Sequence, residues 1–418
     1  MLRGMVDASN TIPKAPDVKA DVVIVGGGPA GLSLAAALGG AGLGVVVVDA
    51  EAPGLKQDAG YDGRTSAIAQ GSKRVLDTIG VWARLAPDAE PIREIRVSDG
   101  PSRLFLHYDH AELGTDPLGY IVENTAIRRA LYAHLDETPG VRVLAPSRVV
   151  SLERTNALAR AALDDGRVVA APLAVAADGR RSPTRRGAGI ATTEWRYKQT
   201  GIVCTVEHEK PHRGVAHERF LPAGPLAFLP MAGNRSSIVW TERDELVPAM
   251  LALDDDAFSR EIERRFGTWL GRVRVVGGRW SYPLALTHAE RFVAPRLALL
   301  GDAARAIHPI AGQGFNLGLR DVAALAEVVM DAVRLGLDAG DAAALARYER
   351  WRRVDSMALL VATDSLNRLF STAFPPVRLI RDLGLAAVGQ VPPLRRFFMR
   401  HAMGLAGDLP RLARGEAL

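Results

Sequence analysis

The chain has 418 residues, of which 48% are apolar and 24% charged, and its formal charge is +5. That is enough for two domains, or one large domain with an inserted subdomain, at the composition of a soluble globular protein. A single cysteine, Cys204, excludes an intrachain disulfide and fits a reducing compartment, and no apolar run reaches the ~18 residues of a membrane span.

Residues 1–19 lack the continuous apolar core of a secretory signal and read as a flexible leader. "ADVVIVGGGPAGLSLAAALGGAGLGVVVVDAE" follows at 20–51. Its β-branched run predicts a strand that stops at Gly26, and Gly26, Gly28 and Gly31 have the spacing G-x-G-x-x-G ahead of a helix. A second strand ends in Asp49. Glycine lets the backbone turn and approach a pyrophosphate, the helix N-terminus offers free N–H groups, and the acid can bind a ribose. Strand, loop, helix, strand and acid in this order make a nucleotide-binding unit. They leave FAD and NAD(P) both open.

"GYDGRTSAIAQGSKRVLDTIGVW" then places Arg64 ahead of a helix, where it can pair with a phosphate or stay solvated. "GYIVENTAIRRALYAHL" reads as a strand entering an amphipathic helix, and the segment with "DDG" as a small hairpin sheet. "LAVAADGRRSPTRR" is a strand ending at Asp178–Gly179, with Arg185 about a turn beyond. Residues 197–280 change to strand-like segments broken by Pro and Gly, with one helix near 255–270, which predicts an inserted, largely antiparallel sheet.

At 301–321 stands "GDAARAIHPIAGQGFNLGLRD". A strand ends in Gly301–Asp302, a loop follows, and a long helix starts near Gly314. This is no second G-x-G-x-x-G loop. The acid follows the strand, within reach of a ribityl or ribose hydroxyl, and Gly312 and Gly314 let the backbone pass close to a planar ligand. One long cofactor gripped at both loops accounts for the pattern. Residues 378–414 carry seven arginines against two acids. Their apolar residues are interleaved as in an amphipathic helix, not as a platform for stacked bases, which argues against nucleic acid.

"GGGPAG", "ADGRRSPTR" and "LLGDAARAIHPIAGQG", in this order, resemble the motifs of the FAD-dependent aromatic hydroxylases of the para-hydroxybenzoate hydroxylase fold. More narrowly, "DGRTSAIAQGS", "GYIVENTAIRRAL", "HERFLPAGPLAFLPM" and "HPIAGQGFNLGLRDVAALAE" are similar to stretches of the ubiquinone-biosynthesis hydroxylases. The resemblance runs from about residue 20 to 410. It implies an α/β fold with a Rossmann-like FAD domain made of 20–190 and 285–345. Residues 191–284 would form a substrate-binding β-sheet domain and 346–418 a helical C-terminal region.

By residue, the resemblance implies FAD contacts for Gly26, Gly28, Gly31 and Asp49 at the adenosine and pyrophosphate end. Arg64, Glu123 and Arg128 would meet the middle of the cofactor, Asp302 the ribityl or pyrophosphate, and Gly312, Gly314 and Asn316 the isoalloxazine. Asp178 and Arg185 would brace these loops or line a nicotinamide approach. The sequence departs twice from the family: Asp49 stands where Glu is frequent, and Arg305 where His is common. The implied reaction is monooxygenation of a polyprenylated phenol or quinol through a flavin C4a-hydroperoxide, most of whose chemistry belongs to the cofactor. No metal site is expected. The ring would sit beneath the inserted sheet near Phe220, Phe228, Pro230, Met231 and Trp240, with His308 able to help ionise a phenol. Electrons would come from NAD(P)H or a separate partner. The basic tail would meet the inner face of the membrane or another quinone-biosynthesis protein, in a cytoplasmic enzyme. Two alternatives are a geranylgeranyl-reductase-type enzyme and a catalytically silent FAD-bound scaffold.

Overall fold

The computed structural model describes residues 16–54, 63–100, 105–306, 313–371 and 390–418. His308 and Gly312 lie outside them. A six-stranded sheet has the order Val293–Ala294, Leu297–Leu299, Leu173–Ala176, Val22–Val25, Val45–Val48, Val141–Leu144. All neighbours run parallel except the first pair. Its inner strands are buried along their whole length, which is why they read as unbroken valine and alanine runs without alternation.

From Val22–Val25 the chain first moves to one side of the sheet, through Val45–Val48 and Val141–Leu144. It then returns to the other side at Leu173–Ala176 and Leu297–Leu299. The reversal opens a crevice at the carboxyl ends of the central strands. Gly26, Asp49, Asp178 and Gly301 follow those ends within a residue or two. The helix Pro29–Gly40 covers the sheet beside the helices Asn124–Asp136 and Gln313–Arg334. Its small residues permit close approach: added Cβ atoms on Gly301 and Gly318 would each meet the Ala30 methyl at 3.3 Å. The two glycine-containing loops of the sequence are thereby neighbours.

A second, eight-stranded sheet has the order Arg305–Ala306, Val273–Ala289, Thr192–His208, Arg235–Arg243, Gly224–Met231, Val215–Leu221, Glu94–Asp99, Phe105–Asp109. It is antiparallel except where Val215–Leu221 runs parallel to Glu94–Asp99. The helix Asp255–Phe266 packs Phe258, Ile262 and Phe266 against one face. The expectation that residues 191–284 make this sheet needs correction. The hairpin at 94–109 completes it from far upstream, a non-local pairing that leaves no local pattern in the sequence.

Two small sheets complete the β-structure. In one, Val18–Lys19 pairs in parallel with Val168–Ala171, so the expected leader gives way to ordered strand before residue 19. The hairpin Ala159–Leu163/Val168–Ala171 turns through Gly166 at φ 85°, as the "DDG" motif predicts. In the other, Gly119–Glu123 lies between Thr65–Ala69 and Glu90–Ile92. Helices Ala342–Ser371, Pro392–Ala402 and Arg411–Arg414 follow. Among the described residues no helix is long and apolar enough to cross a membrane. Cys204 is fully buried, and burial pushes its thiol up to about 12.

Candidate active site

The first loop needs glycine for two different reasons. Gly26 has φ 112°, and a Cβ there would lie 2.4 Å from the Ala177 carbonyl oxygen; a Cβ on Gly31 would lie 2.2 Å from the Gly26 carbonyl oxygen. Packing demands both. A Cβ on Gly28 would meet nothing within 4 Å, although Gly28 caps the buried helix Pro29–Gly40 and no side chain caps it. Open space in front of free helix N–H groups is what an anion needs. Asp49 closes one end of this cradle. Its carboxylate lies against Gly27 and accepts the Glu51 N–H at 3.0 Å.

Asp302 lies across the crevice. Its side chain is open to the cleft while Gly301 and Ala303 beside it are buried. Arg185 braces the two loops, donating to the Ala303 carbonyl at 2.8 Å and the Arg180 carbonyl at 3.0 Å. Asp178 accepts the Thr184 N–H at 3.0 Å.

Arg305 is a structural residue. It makes a two-pronged pair with Asp321, both bonds 2.8 Å, and its guanidinium lies over the Phe292 ring. Arg352 donates to the same carboxylate at 2.7 Å, and all three side chains are buried. Asn316 is also a brace: its Oδ1 accepts the Ala69 N–H at 2.9 Å and its Nδ2 donates to the Ala67 carbonyl at 2.7 Å. The amide thereby ties the helix Gln313–Arg334 to the strand Thr65–Ala69. Gly314 is exposed at the start of that helix.

Arg64, Glu123 and Arg128 meet at one corner. Thr65 pairs with Glu123, the Arg64 carbonyl accepts the Asn124 N–H at 3.0 Å, and Arg128 lies one turn along the helix that Glu123 caps. Arg128 also bears on Tyr132, whose hydroxyl is pushed up to about 12 by burial and then by the Asp49 charge. The corner therefore adjoins the Asp49 end of the crevice.

From Arg64 and Asn124 a cavity of about 320 Å³ runs beneath the eight-stranded sheet to Met399 and Met403. Ala216, Ala227, Leu229 and Val239 form much of its apolar wall. Strand alternation corrects the expected substrate residues. Phe228 and Trp240 belong to the opposite face: Phe228 stacks on Phe266 at 3.5 Å between ring centroids, and Trp240 packs against Phe258. Their neighbours in register, Ala227 and Val239, face the cavity instead. Phe220 and Met231 are buried on the cavity face of their strands, outside the set of residues that line the cavity. Sequence reasoning missed Glu218, Tyr108 and the two methionines. The one available signal was an acid within the apolar strand "VAHERFL".

A family model described as an FAD binding domain matches residues 19–362. The ubiquinone hydroxylase UbiL of Rhodospirillum rubrum is 53% identical over 100% of this chain and 99% of its own length. The chain belongs to the FAD-dependent ubiquinone-hydroxylase family. The 3-demethoxyubiquinol 3-hydroxylase of Escherichia coli is 35% identical over 92% of this chain and 98% of its own. A p-nitrophenol 4-monooxygenase from Pseudomonas putida superposes with a TM-score of 0.79 at 21% identity, covering 94% of this chain and 100% of that one. This last likeness shows the fold, that of the para-hydroxybenzoate hydroxylases. The protein is thus an FAD-dependent monooxygenase, and these three relatives lend nothing to the reductase or the silent scaffold.

The residues fit the cofactor, with an open anion cradle at Gly28, an acid at Asp49 after the second strand, and Asp302 in the facing loop. When bound, FAD supplies the redox and oxygen-activating chemistry. The chain's own contribution is to orient it between the two loops and to offer a dry, apolar cavity beside it, where water does not compete for the reacting ring.

Proposed function

We propose that this protein hydroxylates the aromatic ring of a polyprenylated phenol or quinol intermediate of ubiquinone biosynthesis. The observation that supports this most is the cavity. It starts beside the Arg64 corner of the cofactor crevice and ends under the helix Pro392–Ala402, so a ring placed at the cofactor leaves its chain pointing toward that helix. Gly26, Gly28, Gly31 and Asp49 hold the nucleotide end of FAD in this reading, Arg64, Glu123 and Arg128 its middle, and Asp302 with the 312–314 backbone its flavin end. In this reading His308 helps to ionise the ring hydroxyl. Residues 191–284 together with the 94–109 hairpin serve as the substrate domain.

The test is a single turnover. The FAD-loaded protein is photoreduced without oxygen, given a short-chain prenylated phenol and mixed with oxygen, and the product is weighed by mass spectrometry. A product heavier by one oxygen atom supports the reading. Flavin reoxidation with only hydrogen peroxide formed, across several ring-substituted phenols, overturns it. Running the same turnover with NADPH or NADH in place of photoreduction separates a nicotinamide from a protein donor.

The same reading explains the tail. The helix Pro392–Ala402 turns Met399 inward and leaves Phe397, Phe398 and Leu394 exposed beside Arg396 and Arg400. A basic face with exposed aromatic residues suits an anionic bilayer that holds the polyprenyl substrate. Replacing Phe397 and Phe398 with serine is expected to weaken sedimentation with phosphatidylglycerol vesicles at least ~10-fold. The melting temperature is expected to stay within about 2 °C, because both rings are exposed.

A further inference from the structure

We infer that Glu218 is the proton acceptor for the ring hydroxyl of the substrate, and so a catalytic residue. The inference rests on the hydroxylase reading above for the ring, but on the cavity itself for the residue. Glu218 lies in the strand Val215–Leu221, opposite Val97 on one side and Ala227 on the other. That register puts it on the cavity face with Ala216 and Ala227, and it lines the cavity wall. Its Oε1 is buried with no hydrogen-bond partner. An acid placed without a partner in an apolar wall destabilises the folded protein, which fits a site shaped for a ligand rather than for packing.

Other charged groups near Glu218 are already engaged or face elsewhere. Tyr108 also lines this part of the cavity, and burial pushes its hydroxyl up to about 12, so it stays neutral. Glu94, Arg96 and His107 form their own cluster and alternate to the other face of the sheet. His217 turns to Phe266 and Trp269 on that same face. Asp99 lies two residues beyond Val97 on the neighbouring strand. From the C-terminal helix, Arg395 is paired with Glu112. Among the described residues no charge offsets the burial of Glu218, which pushes its carboxyl up to about 7. A base of that strength is matched to neutral pH.

The step is a proton transfer. The ring O–H bond breaks, its electron pair stays on the ring oxygen, and an O–H bond forms on the Glu218 carboxylate. The ring becomes electron-rich as it is attacked, and the proton later leaves with solvent or product. Because the carboxylate form is needed, the single-turnover rate constant of the wild type should rise about tenfold per pH unit up to about 7 and level off above. In Glu218→Gln that limb should vanish and the plateau fall about 100-fold or more, while Glu218→Asp should restore part of both. FAD affinity should not change.

A binding readout separates this inference from the hydroxylase reading. At pH 8 the flavin absorbance change should show the prenylated phenol binding about 10-fold more tightly than its methyl ether, which cannot donate a hydrogen bond. Glu218→Leu should lose that preference. The same variant should melt at a higher temperature than the wild type at pH 8 and less so at pH 5. A raised carboxyl in the folded state removes stability as pH climbs from the ordinary carboxylate range to about 7, and leucine removes that loss. A wild-type rate without the limb, a Glu218→Gln rate that keeps it, or an unchanged phenol preference in Glu218→Leu would overturn the assignment. If the wild type yields no oxygenated product yet Glu218→Leu loses the preference, the hydroxylase reading fails and the hydroxyl contact stands.

Discussion

Asp321→Ala is expected to destabilise the protein by about 3–5 kcal/mol, the cost of leaving the buried Arg305 guanidinium without its paired carboxylate. Asp321 is completely buried and receives Arg305 through two bonds of 2.8 Å, Arg352 at 2.7 Å and the Gly301 N–H at 3.0 Å. Arg352 would keep Asp355 at 2.6 Å, but Arg305 would keep only the Leu317 carbonyl at 3.3 Å, and its Nε is already buried without a hydrogen bond. Chemical denaturation of the FAD-free protein measures the loss. Because the Gly301 amide sits in the same network, FAD affinity should fall as well. The triple variant Asp321→Leu, Arg305→Met, Arg352→Met should recover part of the stability, since apolar packing without charges often matches a buried ion pair. A single-variant loss below about 1 kcal/mol would show that the network contributes little.

Gly28→Ala is the second expected large effect, and it acts on the ligand. FAD should bind at least ~10-fold more weakly, read by flavin fluorescence titration. The stability of the FAD-free chain should change by less than about 1 kcal/mol, since the new methyl meets no protein atom within 4 Å. Gly31→Ala should behave oppositely. Its methyl would press on the Gly26 carbonyl at 2.2 Å, so the FAD-free fold itself should lose about 1–3 kcal/mol. Equal stability losses in both variants would remove the distinction between a glycine kept for the ligand and one kept for packing.

The nucleotide-binding unit was legible because its signals are local. Glycine spacing, a β-branched run and an acid after the second strand fall within one short stretch, and each has a direct backbone reason. The position of the second loop was legible for the same reason, since Gly301–Asp302 follows a buried strand as Gly26 does. The sheet was only partly legible. Its antiparallel core showed in the breaks between 197 and 280, but the 94–109 hairpin joins through a parallel pairing with Val215–Leu221 more than a hundred residues on.

The substrate wall was misread by a single residue. Large aromatic residues draw the eye, yet alternation sends Phe228 and Trp240 to the helix-covered face and the small Ala227 and Val239 to the cavity. Side-chain size cannot say which face of a strand will be open, because both faces of this sheet are covered and apolar residues occupy both. Arg305 and Asn316 show the same limit for polar residues: nothing in their sequence context tells that their side chains tie helices and strands together. The sequence alone thus determined the family and the cofactor, since those depend on backbone shape written over a few adjacent residues. Only the tertiary structure decided which side chains face the cavity and which charges are already paired, because both depend on neighbours brought together from distant parts of the chain.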